Sequence, residues 1–237
     1  MKREILNQLR EDQKSKTPVA LATDLVSGQE CLVYHERAHG ELANDQEIIA
    51  LAQRSLQDDK SGTVSIGNRE IFVHVFNPPL RMAIVGAVHI AQPLSRMARV
   101  AGYDVTIIDP RQSFATEERF PGVTLLDEWP DDGMRKMDLD RRTAVVTLTH
   151  DPKLDDPGLS IALKSPAFYI GSLGSRKTHA SRVERLKADG FTESEIGRIH
   201  GPVGLNLHAV SPAEIAISIL AEVTATLHAR EDKAAAA

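Results

Sequence analysis

The spacing of apolar residues predicts two segments, divided at Asn77-Pro78-Pro79. Residues 2–14 set Ile5, Leu6 and Leu9 on one face of an amphipathic helix. Pro18–Thr23 and Glu30–Tyr34 read as strands joined through Ser27-Gly28. A helical period returns over residues 44–58, with Ile48, Ile49, Leu51, Ala52 and Leu56 on the repeat. Asn44 or Asp45 supplies its N-cap, and Glu47 offers a partial capping box. Thr63–Ile66 and Glu70–Phe76 form a hairpin about Gly67-Asn68. The Pro pair ends the segment, because neither a helix interior nor a central strand passes through it.

From Arg81 the chain alternates strands with helices, the pattern of a parallel sheet covered by helices. Expected strands are Met82–Val85, Val105–Ile108, Val123–Leu126, Ala144–Leu148 and Phe168–Ile170. Expected helices cover residues 88–101, ending at Gly102, and Thr178–Ala188, ending at Gly190. The remaining crossovers are helical or irregular and include Asp155–Leu163. A last long helix starts at Pro212, with Ser211 and Glu214 as its capping box. Its apolar stripe is Ile215, Ile219, Leu220, Val223 and Leu227.

The first strand–turn–helix of this second segment carries the candidate chemistry. A turn between a buried strand and a helix aims backbone N–H groups at an anion. Here Gly86, Ala87, Val88, His89, Ile90 and Ala91 occupy the G-x-G-x-x-G/A pattern of dinucleotide sites, with Val88 at the second glycine. Asp109 ends the next strand, where an acidic residue suits a ribose hydroxyl pair, so it is expected to serve a ligand more than packing. The fold class is therefore α/β: a Rossmann-like parallel-sheet domain over 80–229 behind a smaller α+β domain over 1–79, with a disordered tail at 230–237.

Composition removes several alternatives. The 237 residues carry a formal charge of −5, so no nucleic-acid surface is expected. The charged start MKREILNQLREDQKSK is unlike a signal peptide. No apolar run reaches the ~18 residues of a membrane span. A single cysteine, Cys31, excludes an internal disulfide and suits the reducing cytoplasm. Cys31 lies within an apolar pattern and reads as a packed thiol.

His35-Glu36-Arg37-Ala38-His39 matches H-E-x-x-H literally. Zinc hydrolysis needs both histidines on one helical face. This match follows a strand-like run and meets Gly40, so a hairpin or turn is expected and no metal site is assigned.

His150, in Thr149-His150-Asp151, follows a buried strand, where open α/β sheets place their ligands. Asp151 can alternatively cap the turn before Pro152. Gly171-Ser172-Leu173-Gly174-Ser175-Arg176-Lys177 also follows a strand and opens a helix. Its glycines permit a nest of N–H groups, its serines add hydroxyls, and Arg176-Lys177 add charge, which together suit a phosphate. A glycine turn with a serine N-cap and a solvated basic pair is the alternative. The Walker spacing is absent. Ile199-His200-Gly201-Pro202-Val203-Gly204-Leu205 reads as a loop in which His200 reaches a ligand or serves packing. No serine occupies a strand-to-helix elbow, so no catalytic residue is assigned.

These words together resemble the XdhC/CoxI-type accessory factors of molybdenum hydroxylases. The matching residues are the Gly86 turn with His89, Asp109-Pro110-Arg111, Phe114-Ala115, Arg119-Phe120-Pro121 and Thr149-His150-Asp151. Phe168 through Arg176, Arg198 through Leu205, and Ser211-Pro212-Ala213-Glu214-Ile215-Ala216 to Glu222 complete them. The match departs at Val88, at Asn206 and His208, and in lacking a Gly-Ser-x-Pro-Arg stretch near Val26-Ser27-Gly28.

The resemblance implies a cytoplasmic chaperone rather than an enzyme. It would bind the molybdenum cofactor, as molybdopterin or its dinucleotide form, shield it, and load it into an apo molybdenum hydroxylase. A cysteine desulfurase is a further implied partner, and the long final helix suits a homodimer. Cofactor phosphate would sit on Gly171, Ser172, Gly174, Ser175, Arg176 and Lys177, bordered by His150, His200 and the turn Gly86-Ala87-Val88-His89. Asp109 and Arg111 would hold a ribose, phosphate or pterin edge. An NAD(P)-dependent oxidoreductase is the alternative enzyme class, with Arg111 favouring a 2′-phosphate. A protein that only docks to a dehydrogenase, binding no small molecule, is a third.

Overall fold

A computed structural model describes residues 2–235, with side chains described through Ala229. The chain divides into two compact units, Met1–Pro78 and Pro79–Ala237.

The first unit runs α1 (Arg3–Lys14), β1 (Val19–Asp24), β2 (Glu30–Val33), β3 (Ala38–Gly40), α2 (Gln46–Gln57), β4 (Gly62–Ile66) and β5 (Arg69–Phe76). Its antiparallel sheet has the order β3-β2-β1-β5-β4. Alternation along β1 assigns the two faces. Ala20 and Ala22 pack with Ile48, Ala52 and Leu56 of α2, while Val19 and Leu21 pack with Ile5 and Leu9 of α1. Asp45, not Asn44, caps α2 by accepting from the N–H groups of Glu47 and Ile48. That register leaves Glu47 one position short of a capping box.

The H-E-x-x-H match lies on the β2–β3 hairpin. His35 falls in the turn and His39 in β3, opposite Leu32, so the two histidines share no helical face. Cys31 is fully buried, and burial pushes its thiol up to about 11.

The second unit continues with β6 (Arg81–Val85), α3 (Ala91–Val100), β7 (Asp104–Ile108), β8 (Thr124–Leu126), α4 (Pro130–Met137) and β9 (Thr143–Thr147). It closes with α5 (Pro152–Leu163), β10 (Tyr169–Ser172), α6 (Arg176–Ala188), α7 (Glu193–Ile196), β11 (Ile199–His200) and α8 (Pro212–Ala235). All pairings in its six-stranded sheet are parallel, in the order β11-β10-β9-β6-β7-β8. Counted within the unit this is the 3-2-1-4-5-6 order of doubly wound sheets, with the reversal between β6 and β9. Met82 and Ile84 face α3 and α8, joining Leu94, Ala98, Ile219 and Val223. Ala83 and Val85 face the opposite layer, joining Met134, Leu159, Ala162 and Leu186.

Several expectations are corrected. The helix expected over 88–101 begins at Ala91, after a turn over residues 89–90. The segment Ile199–Leu205 is not all loop, since Ile199 and His200 add a sixth strand beside β10. α6 starts two residues early, at Arg176, with Ser175 as its cap. α8 reaches Ala235, into the expected 230–237 tail, whose side chains and last two residues lie outside the described residues. Among the described residues no helix is long and apolar enough to cross a membrane.

Candidate functional site

The carboxyl ends of β6 and β9 meet at the sheet's reversal, where a crevice opens in this fold. Gly86 follows β6 with φ +103, and a Cβ there would overlap Thr149 Cγ2 in the loop after β9. Glycine thus lets the two loops touch. The Gly86 N–H donates to the Ile108 carbonyl at 3.0 Å, and the Ala87 N–H donates to Asp109 Oδ2 at 2.8 Å.

Asp109 is fully buried behind this turn. Its Oδ1 accepts from the Arg111 backbone N–H at 2.9 Å and from Arg111 Nε at 2.8 Å. Its Oδ2 also accepts from Arg111 Nη2 at 2.7 Å. Burial alone would raise its pKa, but the bonds from Arg111 and Ala87 outweigh it and hold the carboxyl below its ordinary range. Both oxygens are filled, so a ribose hydroxyl pair finds no free acceptor there. In this structure Asp109 holds the turn after β6 and the Arg111 side chain in place. The outer part of Arg111 remains accessible, with its guanidinium carbon 4.5 Å from the Phe114 ring centroid.

The second cluster surrounds the start of α6. Ser175 caps the helix, its Oγ accepting from the Thr178 N–H at 3.1 Å. Gly174 adopts φ +146, and a Cβ there would lie 3.0 Å from Thr178 Cβ. The first N–H groups of a helix have no intrahelical acceptor, and its dipole favours an anion. Arg176 and Lys177 are exposed at this end.

Beside it lies a cavity of about 250 Å³ lined by His150, Asp155, Lys177, Arg182, Arg185 and their neighbours. Arg182 is 1% exposed, and its Nη2 donates to the Leu173 carbonyl at 2.9 Å. Among the described residues its Nε and Nη1 have no hydrogen-bond partner. Asp155 is equally buried, with Oδ1 accepting from Thr149 Oγ1 at 2.6 Å. Burial pushes its carboxyl up, against the pull of the Thr149 bonds and Arg182. Arg185 is tied to Asp156 by two hydrogen bonds, at 2.5 and 3.1 Å. Asp151 caps α5 through the Lys153 N–H at 2.9 Å, the alternative role its place before Pro152 allowed.

Two expected ligand groups face inward instead. The Ser172 hydroxyl is buried 2.5 Å from Thr147 Oγ1. Gly171 is a packing glycine, since a Cβ there would meet Val203 Cγ2 at 2.5 Å. Both lie within β10, whose alternation aims these positions into the two layers rather than at the helix N-terminus.

A third cluster forms where β11 meets α8. His200 Nδ1 stands 3.3 Å from Glu222 Oε1, and its ring stacks on Tyr169 with centroids 4.6 Å apart. Glu222 Oε2 accepts from Tyr169 Oη at 2.5 Å and from the Gly204 N–H at 2.8 Å. Burial would raise the Glu222 pKa, but the bonds from His200, Tyr169 and Gly204 hold it below the ordinary range. A depressed carboxyl contributes stability that is complete above its unfolded pKa and lost as pH falls through its folded one. Glu222→Gln should therefore lower the melting temperature most at neutral pH, with the gap closing in acid below pH ~4. A gap that stays constant from pH 7 to pH 3 would show that the charge of Glu222 contributes nothing.

Gly86, Ala87, His89, Asp109, Arg111, His150, the 171–177 stretch and His200 thus all occur at or just beyond strand carboxyl ends. His150 and Lys177 share the cavity. His89 is exposed in the turn before α3. The residues missed were Arg182, Asp155 and Glu222. Arg182 had a signal: Thr178, Arg182 and Leu186 follow a four-residue spacing, which puts a charge where that face of α6 turns inward.

A family model described as the XdhC Rossmann domain matches residues 82–223. The molybdenum cofactor insertion chaperone PaoD of Escherichia coli K12 is 33% identical over 158 residues, covering 66% of this chain and 43% of PaoD. A probable xanthine dehydrogenase subunit from Bacillus subtilis 168 is 29% identical over 157 residues, covering 66% of this chain and 46% of that protein. The chain spans less than half the length of these two relatives. A crystal structure of a xanthine dehydrogenase from Bacillus halodurans shares the fold, with a TM-score of 0.69 and 22% identity across 98% of this chain and 69% of that one. The chain belongs to the XdhC Rossmann domain family.

Proposed function

We propose that this chain is a molybdenum cofactor-binding chaperone. It shields the cofactor and assists its maturation and insertion into a xanthine dehydrogenase/carbon monoxide dehydrogenase-type molybdenum hydroxylase. The likeness to PaoD supports the reading at the level of the relative. The observation that carries it is the buried, partner-free guanidinium edge of Arg182 in a cavity beside a helix N-terminus. That donor set fits the phosphate of a pterin cofactor. Gly174, Ser175, Arg176 and Lys177 would surround the phosphate, with His150 beside it. The Gly86 turn, His89, Arg111 and His200 would border the rest of the ligand along the sheet edge. When bound, the cofactor supplies the metal chemistry that the partner enzyme uses. The chain's own residues bind, orient and exclude water.

The test is the ligand released from denatured protein, identified by mass, followed by affinity and transfer to an apo molybdenum hydroxylase. Arg176→Ala and Lys177→Ala should each weaken cofactor binding about ten- to a hundred-fold, the effect of losing a charge-assisted hydrogen bond. Release of a nicotinamide nucleotide would overturn the reading in favour of an NAD(P) enzyme. Variants that bind and deliver cofactor like the parent would remove the α6 end from the site.

A further inference from the structure

Two nearly inaccessible polar groups in the cavity beside α6 are left open. Among the described residues Arg182 Nε and Nη1 have no acceptor and Asp155 Oδ2 has no donor. An unpaired buried polar group is costly, and a charged one more so. Asp155 cannot swing away, because Thr149 holds its other oxygen. Arg182 is likewise anchored through the Leu173 carbonyl. The volume of about 250 Å³ is below the ~300–1,000 Å³ of drug-sized sites, so it suits a phosphoryl group and a few attached atoms.

We propose that this cavity is a phosphate-monoester site in which Arg182 Nε and Nη1 donate to phosphate oxygens and Asp155 Oδ2 shares one proton with another. The proposal rests on the chaperone reading above and specifies how its phosphate is chosen. A fully ionised phosphate would face the Asp155 carboxylate as a like charge, and one shared proton removes that repulsion. A phosphate monoester carries that proton below its second pKa of about 6, or a protonated Asp155 supplies it.

The other charges facing Asp155 are accounted for. Asp156 and Arg185 pair with each other. Lys177 and His150 stand at the rim, with Lys177 adding positive charge. His179, close to Arg182 on α6, is shifted toward its neutral form by burial and by that guanidinium. Sulfate oxygens are weak bases and share a proton poorly, so the cavity should reject sulfate while taking phosphate.

The test is titration calorimetry of the full chain with inorganic phosphate, ribose 5-phosphate and sulfate between pH 6 and pH 9. Phosphate and the monoester should bind at least about tenfold more tightly than sulfate, with affinity falling as pH rises. Arg182→Gln should abolish this binding. Asp155→Asn keeps the Thr149 acceptor and presents an N–H₂ donor, so it secures the test if the arginine variant fails to fold. It should bind phosphate and sulfate to within about threefold and flatten the pH profile. Equal binding of phosphate and sulfate by the parent, or an unchanged preference in Asp155→Asn, would overturn the proposal. Cofactor retention by a parent that ignores small phosphates would overturn it and leave the chaperone reading standing. Phosphate binding as described, without cofactor retention, would support it and count against the chaperone reading.

Discussion

Asp109→Ala should lower the stability of the C-terminal unit by about 2–4 kcal/mol, before any ligand is considered. The substitution strips the Ala87 N–H of its buried acceptor and releases three hydrogen bonds from Arg111. Leaving a buried donor unpaired costs ~1–3 kcal/mol, and bonds to a charged group add to that. Arg111 recovers part of its loss, because its side chain is 40% exposed and rehydrates. For a unit of this size the melting temperature should fall by roughly 4–16 °C. Asp109→Asn keeps an acceptor for Ala87 and should lose about half as much. An unchanged melting curve with lost cofactor binding would instead make Asp109 a direct ligand group.

Gly204→Ala should be damaging for a different reason. Gly204 has φ +93, and its added Cβ would overlap Ser218 Oγ and stand 3.1 Å from the Ile219 nitrogen. The backbone conformation alone costs ~1–3 kcal/mol for a side-chain-bearing residue, and the overpacking costs ~1–3 more. Relief would require the loop to lift from α8, breaking the Gly204 N–H bond to Glu222 and the Leu205 N–H bond to the Ser218 carbonyl. Hydrogen exchange should rise at Val203–Leu205 and over the first half of α8. Parental exchange and melting in this variant would mean that the loop tolerates the shift without cost.

Much of the fold was legible because burial writes a simple code. Strands closed on both faces, such as Ala144–Val146, appear as unbroken apolar runs. Ser175 and the Ser211–Glu214 pair announce their helices through short-range bonds. α4 was not legible, since Pro130-Asp131-Asp132-Gly133 carries no apolar stripe and Gly133 disfavours a helix. Packing explains it: a Cβ on Gly133 would meet Ile108 Cγ2 at 2.7 Å, so the glycine admits the helix against β7. The bond from the Ala87 N–H to Asp109 spans 22 residues, which local periodicity cannot register. The same limit applies to the site. Gly174 and Lys177 stand in a recognisable loop–helix context, whereas bringing Arg182 and Asp155 to one cavity needs two helices placed together by the sheet.

Cys31 makes the N-terminal unit its own recorder of opening. Cys31 sits on β2 between β1 and β3, and its thiol is fully buried in the core under α2, where burial pushes it up to about 11 and leaves little thiolate at pH 7. Alkylation must wait for the core between the sheet and α2 to open. Because the 237 residues contain one cysteine, the label reports a single place. Its rate then measures the free energy of opening that core when reclosing outpaces labelling, and the opening rate itself when it does not.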